Sequence, residues 1–420
     1  MSRRVAVIGG GIAGLTAAYR LSRSCDVTLF EAQERLGGHA HTHEVESADG
    51  RARGVDSGFI VYNERAYPLL VRLFAELGVL TQPTDMSMSV SCDGCGLEYA
   101  GGRGGLGLLA RRPTVGWARY MRMLAEVPRF RRAARALLAS GPAGPAGPTL
   151  GAFLASGDFS WYFRTHFARP LVSAVWSCAP LRAYSYPARY LCAFLANHGM
   201  LAAARASPWK TVVGGSRSYV EKISAGLPAI LTGTPVRRVR RLAEGVEAVD
   251  AADHRYRFDA AVLATHPDQA LALLAEPTAL ERTVLGAFQY SRNSVVLHTD
   301  QAVLPRRRGV SASWNYHQAE CDPAGPVGIS YDVSRLQHLD APETYLVSLN
   351  QGAAVAPERV HARMVYEHPL YTPESVAAQR RLPELNDGRL AYAGAYHGWG
   401  FHEDGCRSGM RAAASLGGSW

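Results

Sequence analysis

The chain has 420 residues, of which 47% are hydrophobic and 19% are charged, a composition typical of globular proteins rather than disordered or fibrous ones. This length exceeds the size at which a single hydrophobic core usually stops growing, so two domains are predicted. The formal net charge is +9, but lysine occurs only as Lys210 and Lys222. Such a preference for arginine is typical of a GC-rich gene. An anionic partner is the alternative, although no nucleic-acid-binding motif is present.

The seven cysteines are few, odd in number and scattered. This pattern argues against a disulfide scaffold and favours a reducing compartment, so a cytoplasmic location is predicted. No uninterrupted run reaches the roughly 20 apolar residues that span a bilayer, so any membrane contact would be peripheral. The arginine-rich stretch 111–135 is either a solvated helical face or such a membrane-surface element. Nothing in the sequence indicates an oligomeric state.

Hydrophobic periodicity and turn residues predict a strand over 4–8, a helix over 12–23 and a strand over 26–30, which form a βαβ opening. The later predicted elements, in chain order, are a helix over 65–78, a hairpin of 86–91 and 97–99, a helix over 106–139, a Gly/Pro loop over 141–148, a helix-rich segment over 151–206, strands over 236–240, 256–258, 260–264, 293–299, 344–350 and 390–393, and a helix from about residue 401.

A glycine motif lies between the first predicted strand and helix. It reads Gly9-x-Gly11-x-x-Gly14, the spacing of a dinucleotide-binding turn. In such a turn the first glycine makes the bend, the second admits the pyrophosphate, and the third lets helix pack on strand. Glu31 ends the second predicted strand, where a carboxylate can accept hydrogen bonds from ribose hydroxyls. Together these features predict a dinucleotide site at the N-terminus.

The residues after Glu31 distinguish the type of dinucleotide. The stretch from Glu31 through Arg35 to Gly37-Gly38 resembles the extended motif of the flavin amine oxidase and phytoene desaturase superfamily. The segments 55–63, 232–236 and 393–409 are similar to the parts of that superfamily that pass beside the flavin, contact the adenine and point a helix N-terminus at the flavin ring. The resemblance therefore covers the full length of the chain.

This resemblance implies an α/β fold with two domains, a Rossmann-type FAD-binding domain and an α+β substrate domain. It implies an FAD-binding domain of 1–80, 207–288 and 385–420 and a substrate domain of 81–206 and 289–384. No cysteine lies in the sequence context that monoamine oxidases use for covalent flavin attachment, so FAD held without a covalent bond is expected. The cofactor-binding residues it implies are Gly9, Gly11, Ile12, Ala13, Gly14, Glu31, Ala32, Arg35, Gly37, Gly38, His39, Gly58, Phe59, Ile60, Val236, Thr265, Gly394, Gly400 and Phe401. The aromatic candidates for the flavin-facing wall are Tyr62, Tyr396 and Trp399.

More narrowly, the sequence from Gly37 to Arg65 resembles predicted flavoproteins associated with cyclopropane fatty acid synthases, which implies an acyl-lipid substrate. Two departures weaken a specific assignment as an amine oxidase. The stretch 290–298 has Arg292 and Asn293 where many amine oxidases carry a lysine, and His39 stands where relatives often have arginine.

We therefore expect a desaturase, dehydrogenase or isomerase that takes hydride from a hydrophobic, acyl-type substrate. The alternatives are an amine or amino-acid oxidase that releases peroxide, and a non-catalytic flavoprotein partner of a lipid-modifying methyltransferase. No catalytic base is assigned from the sequence. Electrons are expected to come from the substrate and to leave to oxygen or another acceptor.

Three motifs resemble metal, redox or dinucleotide sites but are given structural or hydrogen-bonding interpretations instead. His39, His41 and His43 alternate like a metal site, but no further ligand at recognisable spacing completes a set, so hydrogen bonding to flavin or phosphate is preferred. Cys92-Asp-Gly-Cys95 is interpreted as a hairpin turn rather than a redox pair or half a zinc site. The segment 102–107 spells a second glycine fingerprint without a preceding strand, so it is interpreted as a loop. No metal site and no separate NADPH domain are predicted.

Overall fold

A computed structural model of the chain describes residues 2–101, 117–141, 147–201, 208–307, 309–323, 325 and 328–418. The strands in these ranges are β1 (Arg3–Ile8), β2 (Cys25–Phe30), β3 (Thr42–Glu46), β4 (Ala52–Asp56), β5 (Val61–Asn63), β6 (Thr81–Thr84), β7 (Met88–Cys92), β8 (Leu97–Gly101), β9 (Trp209–Val212), β10 (Ala229–Leu231), β11 (Val236–Arg241), β12 (Val246–Asp250), β13 (Arg255–Phe258), β14 (Ala260–Leu263), β15 (Gln289–His298), β16 (Trp314–Gln318), β17 (Gly328–Asp332), β18 (Leu346–Leu349), β19 (Val360–Leu370) and β20 (Leu390–Tyr392).

The α-helices of the same ranges are Ile12–Leu21, Pro68–Glu76, Trp117–Ala139, Leu150–Ser156, Trp161–Phe163, Arg169–Trp176, Pro180–Ala183, Ala188–Asn197, Arg217–Ser224, Pro267–Leu273, Ala279–Leu285, Val333–Gln337, Pro373–Gln379 and His402–Ser415. A π-helical turn occupies Arg164–Ala168, and 3₁₀ turns occupy Gln301–Val303, Gly352–Ala354, Pro357–Arg359, Leu382–Leu385 and Ala395–His397. Within the described part of the chain, no helix is long and apolar enough to cross a membrane.

The N-terminal βαβ unit belongs to a five-stranded parallel sheet in the order β10-β2-β1-β14-β20. Its central strands are short apolar runs that are buried on both faces, as parallel strands covered on two sides must be. In β1, Val5 and Val7 pack towards the helix Ile12–Leu21, while Ala6 and Ile8 pack towards β11–β13. The predicted Rossmann-type unit is therefore confirmed.

The second large sheet has seven strands in the order β19-β15-β18-β17-β16-β7-β8. All its pairs are antiparallel except β16 with β7. The helices between residues 117 and 197 pack on β7, β8 and β16 through a large aromatic-rich core. The α/β class with a second α+β domain, predicted from the resemblance, is confirmed.

The strands of the parallel sheet all lie in the three segments predicted to form the FAD-binding domain, and those of the seven-stranded sheet lie in the two substrate segments. A small sheet of β5, β9 and β6 joins the two parts. Its strands β5 and β9 lie in the predicted FAD-binding segments, whereas β6 lies just beyond the predicted boundary at residue 80. The boundaries themselves remain a prediction.

Several elements escaped the sequence analysis. The elements that were not predicted are the antiparallel pair β3–β4, the strands β12, β16, β17 and β19, and the helices Pro267–Leu273, Ala279–Leu285, Val333–Gln337 and Pro373–Gln379. Most of these are short or lack a clean period of 2 or 3.6 residues, so tertiary packing decides their structure. Part of the predicted helix over 106–139 and of the loop over 141–148 lies outside the described residues, as does the segment 102–107.

A buried carboxylate joins three separate parts of the fold. Asp56, at the end of β4, accepts hydrogen bonds from the Ser216 backbone N–H at 3.0 Å and hydroxyl at 2.7 Å. The Thr42 hydroxyl donates to the same side chain. The Asp56 N–H donates to Gln337 Oε1 at 2.8 Å, and Gln337 Nε2 donates to Asp56 Oδ2 at 3.2 Å. Asp56 thus connects β3–β4 to the start of the helix Arg217–Ser224 and to the helix Val333–Gln337.

We expect Asp56→Ala to lower the free energy of unfolding by about 1–3 kcal/mol, because the Ser216 N–H and Gln337 amide stay buried without their acceptor. Burial also raises the pKa of Asp56 to about 6, above the value of about 3.9 in the unfolded chain. The contribution of this group to stability is therefore full below about pH 4 and lost as the pH rises through about 6.

Chemical denaturation between pH 4 and 7 tests this prediction, with the exposed Asp26 changed to Ala as the control. Asp56→Ala should lose part of the wild-type pH dependence in that window. Identical pH profiles for Asp56→Ala and Asp26→Ala would contradict it.

Candidate active site

The glycine turn after β1 is shaped by two close contacts and one open space. Gly9 has φ +108°, and a Cβ there would lie 2.6 Å from the Ala264 carbonyl oxygen. A Cβ on Gly14 would lie 1.8 Å from the Gly9 oxygen, whereas one on Gly11 would meet nothing within 4 Å. Gly9 and Gly14 are therefore required by packing. Gly11 faces open space at the N-terminus of the helix Ile12–Leu21, where an anion is favoured.

Glu31 is held at this turn by the backbone. Its Oε2 accepts the Gly10 N–H at 2.7 Å and its Oε1 accepts the Gln33 N–H at 2.9 Å. Charge-assisted bonds of this kind fix the carboxylate without a cation. The acid predicted from the end of the second strand therefore lies beside the glycine turn.

A second glycine turn lies against the first. The Gly37 N–H donates to the Gly10 oxygen at 2.8 Å, and Arg35 donates to the Gly38 oxygen at 2.9 Å. Burial lowers the pKa of Arg35 from its ordinary value, yet the guanidinium stays charged because that value is so high. The two turns and this cation form one polar wall.

A cavity of about 950 Å³ runs from these turns into the second domain. A neighbouring pocket of about 310 Å³ lies beside β1 and is lined by Phe30, Ala32, Val236 and Thr265 among others. The predicted cofactor residues that line the larger cavity are Gly9, Gly11, Ile12, Ala13, Glu31, Arg35, Gly37, Gly38, His39, Gly58, Phe59, Ile60, Thr265, Gly394, Gly400 and Phe401. Segments from both ends and the middle of the chain thus meet at one cavity.

The three aromatic candidates for the flavin-facing wall differ in where they lie. Tyr396 lines the cavity. Tyr62 does not: its neighbour Val61 lines the cavity, and alternation along β5 turns the Tyr62 ring into the core, 5.5 Å from Phe74. Trp399 is also absent from the lining residues. The assignment of Tyr62 to the flavin-facing wall is therefore corrected. The assignment of Trp399, whose ring centroid lies 6.0 Å from that of the cavity-lining Phe194, stays a prediction.

The three alternating histidines also differ in whether they line the cavity. His39 lines the cavity, and its Nε2 is buried without a hydrogen-bond partner. His41 instead pairs with the Tyr366 hydroxyl at 3.0 Å, and His43 pairs with the Ser57 hydroxyl at 2.9 Å. Of these three, His39 alone is placed to reach a ligand in the cavity. Burial holds its pKa well below the ordinary value, so it is neutral at pH 7.

Sequence reasoning missed a polar pair on the second domain. His368 on β19 lines the cavity, and the Asn293 amide on β15 donates to its Nδ1 at 3.0 Å. Burial lowers the pKa of His368 to about 4, so it is neutral with the remaining proton on Nε2. The strand β19 was not predicted although its apolar residues alternate at Val360, Ala362 and Met364, so this residue was missed.

The far end of the cavity is apolar. The residues that line it there include Met86, Met88, Val90, Tyr99, Phe130, Phe167, Leu171, Ala174, Val175, Trp176, Phe194, Leu195, Met200, Leu201, Trp314 and Tyr331. Arg131, on the helix Trp117–Ala139, is exposed and also lines the cavity. Among the described lining residues, the only carboxylates are Glu31 and Glu367. Glu367 lies 3.5 Å from Arg292 and 3.4 Å from His266.

The comparisons with known proteins agree with this geometry. A family model described as flavin containing amine oxidoreductase matches residues 12–330. The carotenoid phi-ring synthase of Streptomyces griseus is 35% identical over 123 residues, which are 27% of this chain and 23% of that protein. The alignment thus spans about a quarter of the length of this curated relative.

Two solved structures share the fold at low identity. Cyclohexylamine oxidase from Brevibacterium oxydans IH-35A has a TM-score of 0.71 at 17% identity, with 99% of each chain covered. The CLA-producing fatty acid isomerase from P. acnes has a TM-score of 0.67 at 16% identity, again with 99% of each chain covered. The predicted two-domain fold is confirmed by both.

The open space at Gly11 gives a direct test of the expected FAD site. Gly11→Val should fold normally, because the new Cβ meets no protein atom, but should weaken FAD binding at least about tenfold, or about 1.4 kcal/mol. Gly14→Ala is the contrasting variant, which should lose stability because its Cβ overlaps the Gly9 carbonyl. Thermal melting of the apoprotein and fluorescence titration with FAD measure the two effects. Wild-type affinity in a folded Gly11→Val protein would refute this placement.

Proposed function

The chain belongs to the flavin-containing amine oxidoreductase family, and from this premise we propose that it binds FAD without a covalent bond and removes hydride from a hydrophobic, acyl-type substrate. The observation that carries the proposal is the continuity of the larger cavity, in which a polar dinucleotide end continues into an apolar end. A desaturase, dehydrogenase or isomerase reaction fits this arrangement.

The residues present fit FAD. The pocket beside β1, lined by Phe30, Ala32 and Val236, suits an adenine ring. Glu31 would accept hydrogen bonds from the ribose hydroxyls, and the open backbone at Gly11 would face the diphosphate. The unpartnered Nε2 of His39 offers a polar contact that the protein alone leaves unused. The N-terminus of the helix His402–Ser415 begins beside Phe401, which also lines the cavity.

When bound, FAD supplies the two-electron acceptor for a hydride that leaves a substrate carbon. The chain itself contributes orientation and electrostatics. The partial positive charge at the N-terminus of the helix His402–Ser415 favours negative charge close by. His39 and His368 stay neutral, so they offer hydrogen bonds without adding a full positive charge. The apolar wall would surround the hydrophobic part of the substrate.

The substrate class is inferred from the charges around the apolar end. Glu367 is already near Arg292 and His266, and Glu31 is bonded to the backbone, so no free carboxylate among the described lining residues would receive an ammonium group. Arg131 instead offers a cation at the exposed edge. An acyl chain with an anionic head group matches an apolar wall that has the exposed Arg131 at its edge.

Anaerobic titration of the purified holoprotein tests the proposed substrate class. Fatty acids and acyl lipids should bleach the flavin absorbance or yield isomerised products, whereas a panel of primary amines and amino acids should leave both unchanged. Bleaching by amines with peroxide release in air would replace the proposal with amine oxidation. A flavin that no lipid reduces, on a chain that co-purifies with a lipid-modifying methyltransferase, would favour a non-catalytic partner.

Arg131 and Arg132 provide a matched pair of variants, since both are exposed and only Arg131 lines the cavity. Arg131→Gln should raise KM for a free fatty acid several-fold, consistent with about 1 kcal/mol for an exposed ion pair. KM for the methyl ester should not change. Arg132→Gln should leave both values at the wild-type level. Equal effects of the two variants, or an equal effect on acid and ester, would contradict a head-group contact at Arg131.

A further inference from the structure

Three cysteines and one histidine that are far apart in sequence meet in the second domain. They are Cys92 at the end of β7, Cys95 in the turn before β8, His166 in the π-helical turn Arg164–Ala168, and Cys321 after β16. One ligand atom from each lies within 4.8 Å of all the others. From this cluster, we propose that Cys92, Cys95, His166 and Cys321 bind a single zinc ion.

Two of the six spacings between the ligand atoms match a single tetrahedral ion, and the others are at most 4.8 Å. Zinc–sulfur bonds of about 2.3 Å and zinc–nitrogen bonds of about 2.0–2.1 Å place neighbouring sulfurs about 3.8 Å apart and sulfur and nitrogen about 3.6 Å apart. Cys92 Sγ lies 3.7 Å from Cys321 Sγ, and Cys95 Sγ lies 3.5 Å from His166 Nε2. An iron–sulfur cluster would hold the cysteines further apart, since each would bind a different iron.

The histidine is already oriented as a ligand. His166 is fully buried, and its Nδ1 lies 3.2 Å from the Tyr162 carbonyl oxygen. A carbonyl accepts only from N–H, so Nδ1 carries the proton and Nε2 presents its lone pair to the cysteines. Histidines that bind metals typically donate their other ring N–H to such a carbonyl.

A buried cation next to the site offsets part of its charge. Three thiolates and a neutral imidazole around Zn²⁺ leave a net charge of −1. Arg169 is fully buried, and it donates to the Cys321 carbonyl oxygen at 2.7 Å. It also pairs with Asp322 at 2.6 Å, whose carboxylate is largely exposed to solvent. A buried guanidinium next to the site stabilises thiolates over thiols.

Four protein ligands leave no open position, so the zinc is structural rather than catalytic. It joins the β7–β8 hairpin, the helical layer and the loop after β16. Several neighbours of the site line the apolar end of the cavity, namely Val90, Tyr99 and Phe167. The Tyr99 hydroxyl also donates to the His166 carbonyl oxygen at 2.8 Å. The metal would therefore fix the wall on which a substrate rests, independently of what that substrate is.

Metal analysis of the holoprotein, purified without chelators or an affinity tag, tests the proposal. Elemental mass spectrometry should find about one zinc per chain. Replacement by Co²⁺ should give intense absorption in the red, beyond the flavin bands, with the intensity of tetrahedral thiolate coordination. These readouts need no variant, so they stand even if ligand substitutions impair folding.

Cys321→Ser and Cys92→Ser should lose the metal, while Cys25→Ser, at a cysteine outside the cluster, should keep it. Wild-type protein that contains no zinc and takes up neither Zn²⁺ nor Co²⁺ after reduction would overturn the proposal. So would a native disulfide among Cys92, Cys95 and Cys321, or full zinc content in both ligand variants.

Discussion

The cavity depends on the direct contact between the first helix and the last. A Cβ on Gly409 would lie 2.2 Å from the Ala13 carbonyl oxygen, and one on Gly405 would lie 2.6 Å from Ile12 Cγ2. These two glycines are one turn apart on the helix His402–Ser415, so they let the two helix backbones approach closely. This contact brings the N-terminal glycine turn and the segment 394–401 to the same cavity, although they are separated by nearly the whole chain.

The dinucleotide end of the site could be predicted because its signals are local. The turn at Gly9, Gly11 and Gly14 needs only a strand before it and a helix after it, and both were visible as apolar periodicity. Glu31 and Gly37-Gly38 follow within the same unit. The structure brings these residues together, as the motif implied, since short-range geometry determines where they lie.

The remaining site residues depend on tertiary contacts that no local pattern reports. Tyr62 was misplaced because the register of β5 was unknown, and a shift of one residue turns a side chain to the other face. Arg131 and His368 reach the cavity from a long helix and from a strand, β19, that was not predicted. Cys92 and Cys95 lie at the predicted hairpin turn between β7 and β8. Their nearness to His166 and Cys321 could not be predicted, because those residues lie in segments distant in sequence.

The central claim is that this cavity holds FAD without a covalent bond. The visible absorption spectrum of the purified protein, recorded before and after denaturation and removal of the polypeptide, tests it most directly. The account predicts a flavin spectrum in the native protein and FAD, identified by mass, entirely in the protein-free fraction. A colourless protein that fails to take up added FAD would contradict the cofactor assignment, and flavin that stays with the polypeptide would contradict the non-covalent attachment.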